Sequence, residues 1–335
     1  MSGTRQDGSR PALPLEERES HGDENKAFVE RVCLPFLLSS QNTDGGWGFH
    51  SGSRSRVEAS AWALLALREC AIPRTLAEPT ARGFRFLEAT QLPDGAWPAS
   101  PESREGCWVT ALACWALLGL EEFSGSVRRG MSWLCADQPG EARLLWRLLR
   151  RLHGIRRVSS QKDSYYGWSW TLGTASWVEP TSSAMIVLGS APAGLLPAAS
   201  RRMRLAEAML YDRMCPGGGW NCGNPMVYGV AGEPQVVPTV WALLALRDSG
   251  TPEFKESLDW LEGNRGKVQS LASLALTKIG LDALGRSDPN LEKSLAQSFR
   301  DKDTLVVNLP AIAWTALAMS GKQKWLKLTM PGETS

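Results

Sequence analysis

The sequence predicts an all-α protein arranged as an α6/α6 toroid, with six inner helices ringed by six outer ones, and three observations predict it. A polar, glycine-rich turn, Q41-N-T-D-G-G-W47, returns at the same spacing as Q91-L-P-D-G-A-W97. Each turn leads into a stretch that is apolar nearly all round, such as Val57 to Leu67, the mark of a helix buried on every side. Strand alternation is almost missing, and similar units recur with a period of roughly 30 to 70 residues, which implies stacked copies of one unit.

Taken in order, the first exposed helix starts near Asp23 or Asn25, both suitable N-caps, and carries Phe28, Val29, Val32, Phe36 and Leu37 on one stripe. The turn from Gln41 to Ser55 ends it, and a buried helix runs from Val57 to Cys70, closed by Pro73. A second exposed helix, Thr80 to Gln91, pairs with the buried Trp108 to Leu120. In the third unit Val127 to Asp137 and Glu141 to His153 are both helical in pattern, and either suits the exposed position. A degraded turn, G167-W-S-W170, precedes W177-V-E-P-T181 and an apolar run to Leu188. Unit four has Arg201 to Met214, the turn G217-G-G-W-N-C-G-N224 and the apolar V237-P-T-V-W-A-L-L-A-L246. Units five and six, Pro252 to Gly280 and Asp288 to Ser320, lack the glycine-tryptophan turn. Aligned on helix starts, Ser60, Thr110, Thr181, Thr239, Ser270 and Ala311 become equivalent. Pro180, Pro238 and Pro310 sit just before three of them, in the first helical turn where a missing N–H costs nothing. Short loops make neighbouring helices antiparallel.

The 335 residues divide into a tail at 1–26, expected to be disordered because it lacks any apolar core, the toroid at 27–321, and a C-terminal tail at 322–335. With 37 Lys and Arg against 35 Asp and Glu the net charge is only +2, so nothing global points to nucleic acid. Seven scattered cysteines without a C-x-x-C pair suit reduced thiols in a cytoplasmic protein. No apolar run approaches the roughly 20 residues that span a bilayer. Arg143, Arg147, Arg150 and Arg151 share one face of the Glu141 to Arg157 stretch, opposite Leu144, Leu145, Leu148 and Leu152. Such a basic amphipathic helix suits a peripheral membrane surface, and equally a solvated outer-ring helix. Only three histidines exist, His21, His50 and His153. His50 and Cys222 occupy similar turn positions, but no third ligand completes a tetrahedral site, so no metal and no cofactor are expected.

The repeated Q-x-x-D-G-[GA]-W turns, followed by S-A-W-A-L-L-A-L and T-V-W-A-L-L-A-L, resemble the repeat of squalene-hopene cyclases and their sterol-cyclase relatives, and of protein prenyltransferase β-subunits. The likeness runs from about Phe28 to Ser320. It implies the toroid, a Gln that bonds to nearby backbone and stacks on the Trp, and an apolar central cavity for a hydrophobic isoprenoid-type molecule. The G-C-G-E-Q run of the thioester-containing complement-like toroids is absent.

The resemblance also implies a chemistry. Class II terpene cyclases protonate an alkene or epoxide with a carboxylic acid, the central Asp of D-x-D-D-T at the start of an inner helix, and aromatic faces stabilise the cation that results. The matching starts here are R56-V-E-A-S60 and W177-V-E-P-T181, which place Glu58 and Glu179 in the acid's position. The flanking acids of the motif are replaced by Arg56 and Ala59, or by Trp177 and Pro180, and no D-x-D-D occurs. Glu58 and Glu179 are therefore the candidate catalytic acids of a terpenoid cyclase or isomerase. Trp62, Trp108, Trp177 and Trp241 are the candidate substrate-binding faces. Two alternatives accompany this reading: the two Glu are anions stabilised by helix N-termini, and the chain is a non-catalytic scaffold or protein-interaction domain that kept the fold.

Overall fold

Ala, Leu and Trp dominate the apolar stretches and leave nothing for water to solvate, so each becomes a helix that must be enclosed by others. The computed structural model describes residues 24–70, 77–143, 161–162, 164–300 and 308–331. Helix α1 covers residues 24–39, its middle turn Val29–Cys33 being a π-helix and its last part Leu34–Ser39. Then come α2 (Val57–Cys70), α3 (Ala77–Thr90), α4 (Val109–Leu117), α5 (Ser124–Ala136), α6 (Val178–Leu188) and α7 (Leu196–Asp212). The chain continues with α8 (Val236–Ala245), α9 (Pro252–Asn264), α10 (Leu271–Ala283), α11 (Pro289–Arg300) and α12 (Leu309–Ser320). A two-residue hairpin, Met226–Val227 with Val230–Ala231, is the one strand pair among the described residues. No described helix is long and apolar enough to cross a membrane.

The even-numbered helices form the inner ring. Each packs on the next, and α12 packs back on α2, so the ring is closed. Each outer helix packs on the inner helix that precedes it in the chain: α3 on α2, α5 on α4, α7 on α6, α9 on α8 and α11 on α10. This corrects the grouping of an outer helix with the inner helix after it. Helix α1 accordingly has no inner helix before it, and it packs on α12 instead. Two hydrogen bonds tie the same region together, Asn25 Nδ2 of α1 to Glu292 Oε2 of α11 at 2.8 Å and Leu309 N–H of α12 to Phe49 O in the first turn at 2.8 Å.

The recurring tryptophan turn staples an outer helix to the following inner one. Trp47 Nε1 donates to Leu37 O of α1, and its backbone N–H donates to Ser60 Oγ of α2 at 2.8 Å. Trp97 repeats both bonds with Leu87 O and Thr110 Oγ1, Trp168 with Leu134 O and Thr181 Oγ1, and Trp220 with Leu210 O and Thr239 Oγ1. Gln41 Nε2 bonds to Gly45 O and reaches Pro79 O of α3, and Gln91 does the same with Gly95 O and Ser126 O of α5. Gly45, at φ +89°, lies so close to α3 that a Cβ there would sit 2.6 Å from Arg82 O. Glycine is thus required twice over, by its dihedral and by the close approach.

These bonds settle the irregular units. Leu134 O takes the Trp168 indole N–H, so α5 is the third outer helix, and Gln138 stands four residues past Leu134 as Gln41 stands past Leu37. Residues 139–166 are an insertion between that Gln and its Trp. The insertion opens with a 3-10 turn, Gly140–Ala142, where Glu141 is buried, accepts the Ser176 N–H at 2.8 Å and pairs with Arg213 at 3.2 Å. Of the basic face read from this stretch, Arg147, Arg150 and Arg151 lie outside the described residues. The last unit is shifted by one residue. Leu309 N–H bonds to Phe49 O as Val57 N–H bonds to Ala99 O and Val178 N–H to Cys222 O, so Ile312, not Ala311, stands level with Ser60. Ser270 caps its own helix through Ser273 N–H and makes no staple.

Residues 322–331, grouped with a C-terminal tail by sequence, belong to the folded unit. After Gly321 at φ +66° the chain turns under the ring as Lys324–Lys327, with Trp325, Leu326 and Met330 buried.

Because Thr110 Oγ1 accepts the Trp97 N–H, Thr110→Val strands that buried donor, while Trp97 O keeps the Cys107 N–H. We expect a loss of about 1–3 kcal/mol in urea unfolding, while the exposed Thr174, changed to Val as a control, stays within about 0.5 kcal/mol of the parent.

Candidate active site at the mouth of the ring

The staples fix the height of each residue along the ring axis. Two residues before the stapled hydroxyls of Ser60, Thr110, Thr181 and Thr239 stand Glu58, Trp108, Glu179 and Val237, on four consecutive inner helices. The two carboxylates therefore flank the Trp108 helix at the mouth where the inner helices begin. Burial raises both from the ordinary glutamate value to about 7, and in Glu58 the nearby Glu179 carboxylate adds to the effect. Neither has an ion-pair or side-chain hydrogen-bond partner among the described residues. A helix N-terminus normally favours the anion, so the rise means that desolvation, joined in Glu58 by repulsion from Glu179, outweighs the dipole here.

Two thiols that sequence reasoning did not connect with the acids lie beside them. Cys107 is raised by its burial and by the Glu58 charge, and Cys222 by its burial and the Glu179 charge. Cys222 Sγ also bonds to Gln235 Oε1 at 3.6 Å. The half-buried Trp108 ring meets the edge of Trp170, also half-buried, at 4.6 Å between centroids and 80°. Trp170, from the degraded turn, therefore shares the mouth with Trp108. Trp177, half-buried, precedes α6 and donates its backbone N–H to Trp168 O.

One turn deeper, Trp62 and Trp241 do not wall an open cavity. Their rings pack on each other at 5.4 Å, and Trp62 also meets Trp115, Trp314 and Trp325 at 5.9, 5.5 and 6.3 Å. Trp62 is 2% and Trp241 4% exposed, so indoles fill the ring axis at this level. Trp325 was missed because it lies outside every repeat. His50 and Cys222 are not joined in any metal-binding group. His50 is exposed and its backbone N–H bonds to Ser53, and the described residues hold no cluster of three His, Cys, Asp or Glu that suits a metal.

The closed double ring and the tryptophan staples define an α/α toroid. No family model matches the chain. Partial similarities support a relationship to the terpene cyclase superfamily: 40% identity over 82 residues to mouse (Mus musculus) lanosterol synthase, and 38% over 75 residues to the drimenyl diphosphate synthase of Streptantibioticus cattleyicolor. Each match covers 22% of this chain, and they span only 11% and 13% of those two enzymes. Among solved structures, the type II terpene cyclase MstE from Scytonema superposes with a TM-score of 0.53 at 14% identity, covering 92% of this chain and 98% of that one. An α-amylase from Clostridium perfringens reaches 0.57 at 9% identity, over 88% and 98%. At these identities the likeness shows the fold alone, and it is a fold that also carries sugar chemistry.

A carboxyl whose folded pKa lies above its unfolded value of roughly 4.3 stabilises the fold below that value, and the contribution is lost as pH rises through 7. The Glu58→Gln/Glu179→Gln double variant should therefore gain in Tm relative to the parent between pH 5 and pH 8. Parallel curves over that range in thermal denaturation would show that neither carboxyl is perturbed.

Proposed function

We propose that this chain acts on a hydrophobic isoprenoid-type molecule by acid-base chemistry at the mouth of the ring, as a terpenoid isomerase or cyclase. The observation that carries this reading is the pair of carboxyls, both raised to about 7 and without a neutralising partner, beside the Trp108 ring. Like charges near each other favour a state in which only one of the two carboxyls is protonated, so one group is an acid while the other is a base. Glu58, repelled by Glu179, is the group that holds the proton. Its transfer to an alkene carbon makes a C–H bond and leaves a carbocation, which the faces of Trp108 and Trp170 stabilise. Loss of a neighbouring C–H proton to the Glu179 carboxylate reforms a double bond and balances the reaction. A glutamic acid of pKa near 7 is weaker than the acid of a D-x-D-D motif, which favours an activated substrate such as an epoxide or allylic alkene. Partial similarity to lanosterol and drimenyl diphosphate synthases supports the substrate class.

The filled ring axis favours a second reading, a toroid kept as a scaffold without chemistry. Incubation with farnesyl and geranylgeranyl diphosphates, squalene and oxidosqualene in deuterium oxide, with products analysed by mass spectrometry, separates the two. The enzyme reading expects deuterium in the product and a loss of about 10²- to 10⁴-fold for Glu58→Gln and for Glu179→Gln. No product from any substrate, together with ligand binding unchanged in both variants, selects the scaffold.

A further inference from the structure

The far end of the ring is closed by a residue that no repeat supplies. Trp325 reaches into the axis from the segment after α12 and stacks on Trp115 at 5.0 Å and 30°, with Trp62 edge-on at 6.3 Å. Main-chain groups hold the segment there. Glu69 Oε1 accepts the Lys324 N–H at 2.8 Å, Glu69 Oε2 accepts the Trp325 N–H at 3.2 Å, and Trp325 O accepts the Trp115 indole N–H at 2.7 Å. The segment leaves α12 through two left-handed residues, Gly321 at φ +66° and Gln323 at φ +48°, the second a conformation that a side chain resists.

The donors in this chamber are not all satisfied. Trp62 Nε1 and Trp325 Nε1 are buried without an acceptor, each residue being 2% exposed, and Trp314 Nε1 is likewise unpartnered. A buried N–H without a partner is a standing cost, of about 1–3 kcal/mol by mutational comparison. If Trp325 left, Trp115 Nε1 would lose its acceptor as well. The emptied space would be bordered by the Trp115 and Trp62 rings, with the Trp115 N–H at its edge. Such a cage selects a flat apolar body with an acceptor oxygen.

We propose that this chamber is a binding site for a planar apolar molecule bearing a hydrogen-bond acceptor, and that Trp325 occupies it as an internal competitor. The site is separate from Glu58 and Glu179, on the opposite side of the Trp62 level, and does not depend on their chemistry. Binding displaces residues 322–331, which carry three trypsin sites, Lys322, Lys324 and Lys327.

1-Indanone has the outline of an indole ring and a carbonyl oxygen, and indane is the same body without the oxygen. The full chain is titrated with each, reading Tm and the rate of trypsin cleavage at Lys322, Lys324 and Lys327 by mass spectrometry. In the parent, 1-indanone should speed cleavage at these three sites severalfold and indane should have a smaller effect. Trp325→Ala, with the competitor removed, should bind 1-indanone at least tenfold more tightly than the parent. Glu69→Gln keeps the core filled but replaces one acceptor by a donor, and should fall between the two. Glu58→Gln should leave the 1-indanone affinity and the 1-indanone-induced rise in cleavage as they are in the parent, which separates this chamber from the mouth. Equal affinity in the parent and in folded Trp325→Ala overturns the proposal. So does binding of indane as tight as that of 1-indanone. If Trp325→Ala does not fold, parent-like binding and cleavage in Glu69→Gln overturn it instead.

Discussion

A hydroxyl two hydrogen bonds deep in the start of an inner helix is the constraint on which the rest of the structure depends. Ser60, Thr110, Thr181 and Thr239 each accept the backbone N–H of a turn tryptophan and return a bond to its carbonyl, while the indole N–H of that tryptophan grips the preceding outer helix. Three elements are fixed by one residue pair. Helix ends carry unsatisfied backbone groups, and burying them inside a double ring is tolerable only when each has a partner. The staple supplies those partners and at the same time fixes the height of the four inner helices α2, α4, α6 and α8. The acids, the indole floor and the far plug all inherit their levels from it.

Where the staple holds, the side chain two positions earlier is carried to the mouth whether or not it has chemistry to perform. That position is Glu58, Trp108, Glu179 or Val237, so the same geometry serves an acid, an aromatic face and an isopropyl group. Glutamate beside helix N–H groups ordinarily stays ionised. Here the ring removes enough water, and sets the two charges near enough to each other, to reverse that preference. The perturbation is a property of closure: an open solenoid would leave each mouth residue facing solvent.

Much of the fold was legible because its determinants are local. Gln41 to Trp47 and Gln91 to Trp97 repeat in sequence because the turn needs the same glycine conformation and the same bonds each time, and the inner helices announce themselves by being apolar on all faces. The third unit was ambiguous because its Gln138 and Trp168 are separated by an insertion, and only the indole bond to Leu134 O shows which outer helix belongs there. The positions of Glu58 and Glu179 in the first turn of their inner helices were legible from their spacing to Ser60 and Thr181, which is visible in one dimension. What lines the axis was not visible, because whether Trp62 and Trp241 face a void or each other depends on ring diameter and on Trp325, which is 263 residues from Trp62 by subtraction of their positions. The pairing of inner with outer helices was misassigned for a similar reason, since an amphipathic stripe says that a helix is covered and not by which neighbour.

The contact between α1 and α12 gives the chain an unusual history during synthesis. Helix α1 packs on α12, and its Asn25 bonds to Glu292 of α11, 267 residues away, so its apolar stripe is covered only after α12 has been made. Until then, a partial ring leaves its flanks and the indoles at its centre open to water, in the form that aggregates and recruits chaperones. Residues 322–331 are the last part of the described fold to emerge and the first to seal the axis. The seam between α12 and α2 is therefore closed late, and the axis is sealed only once Trp325 is in place.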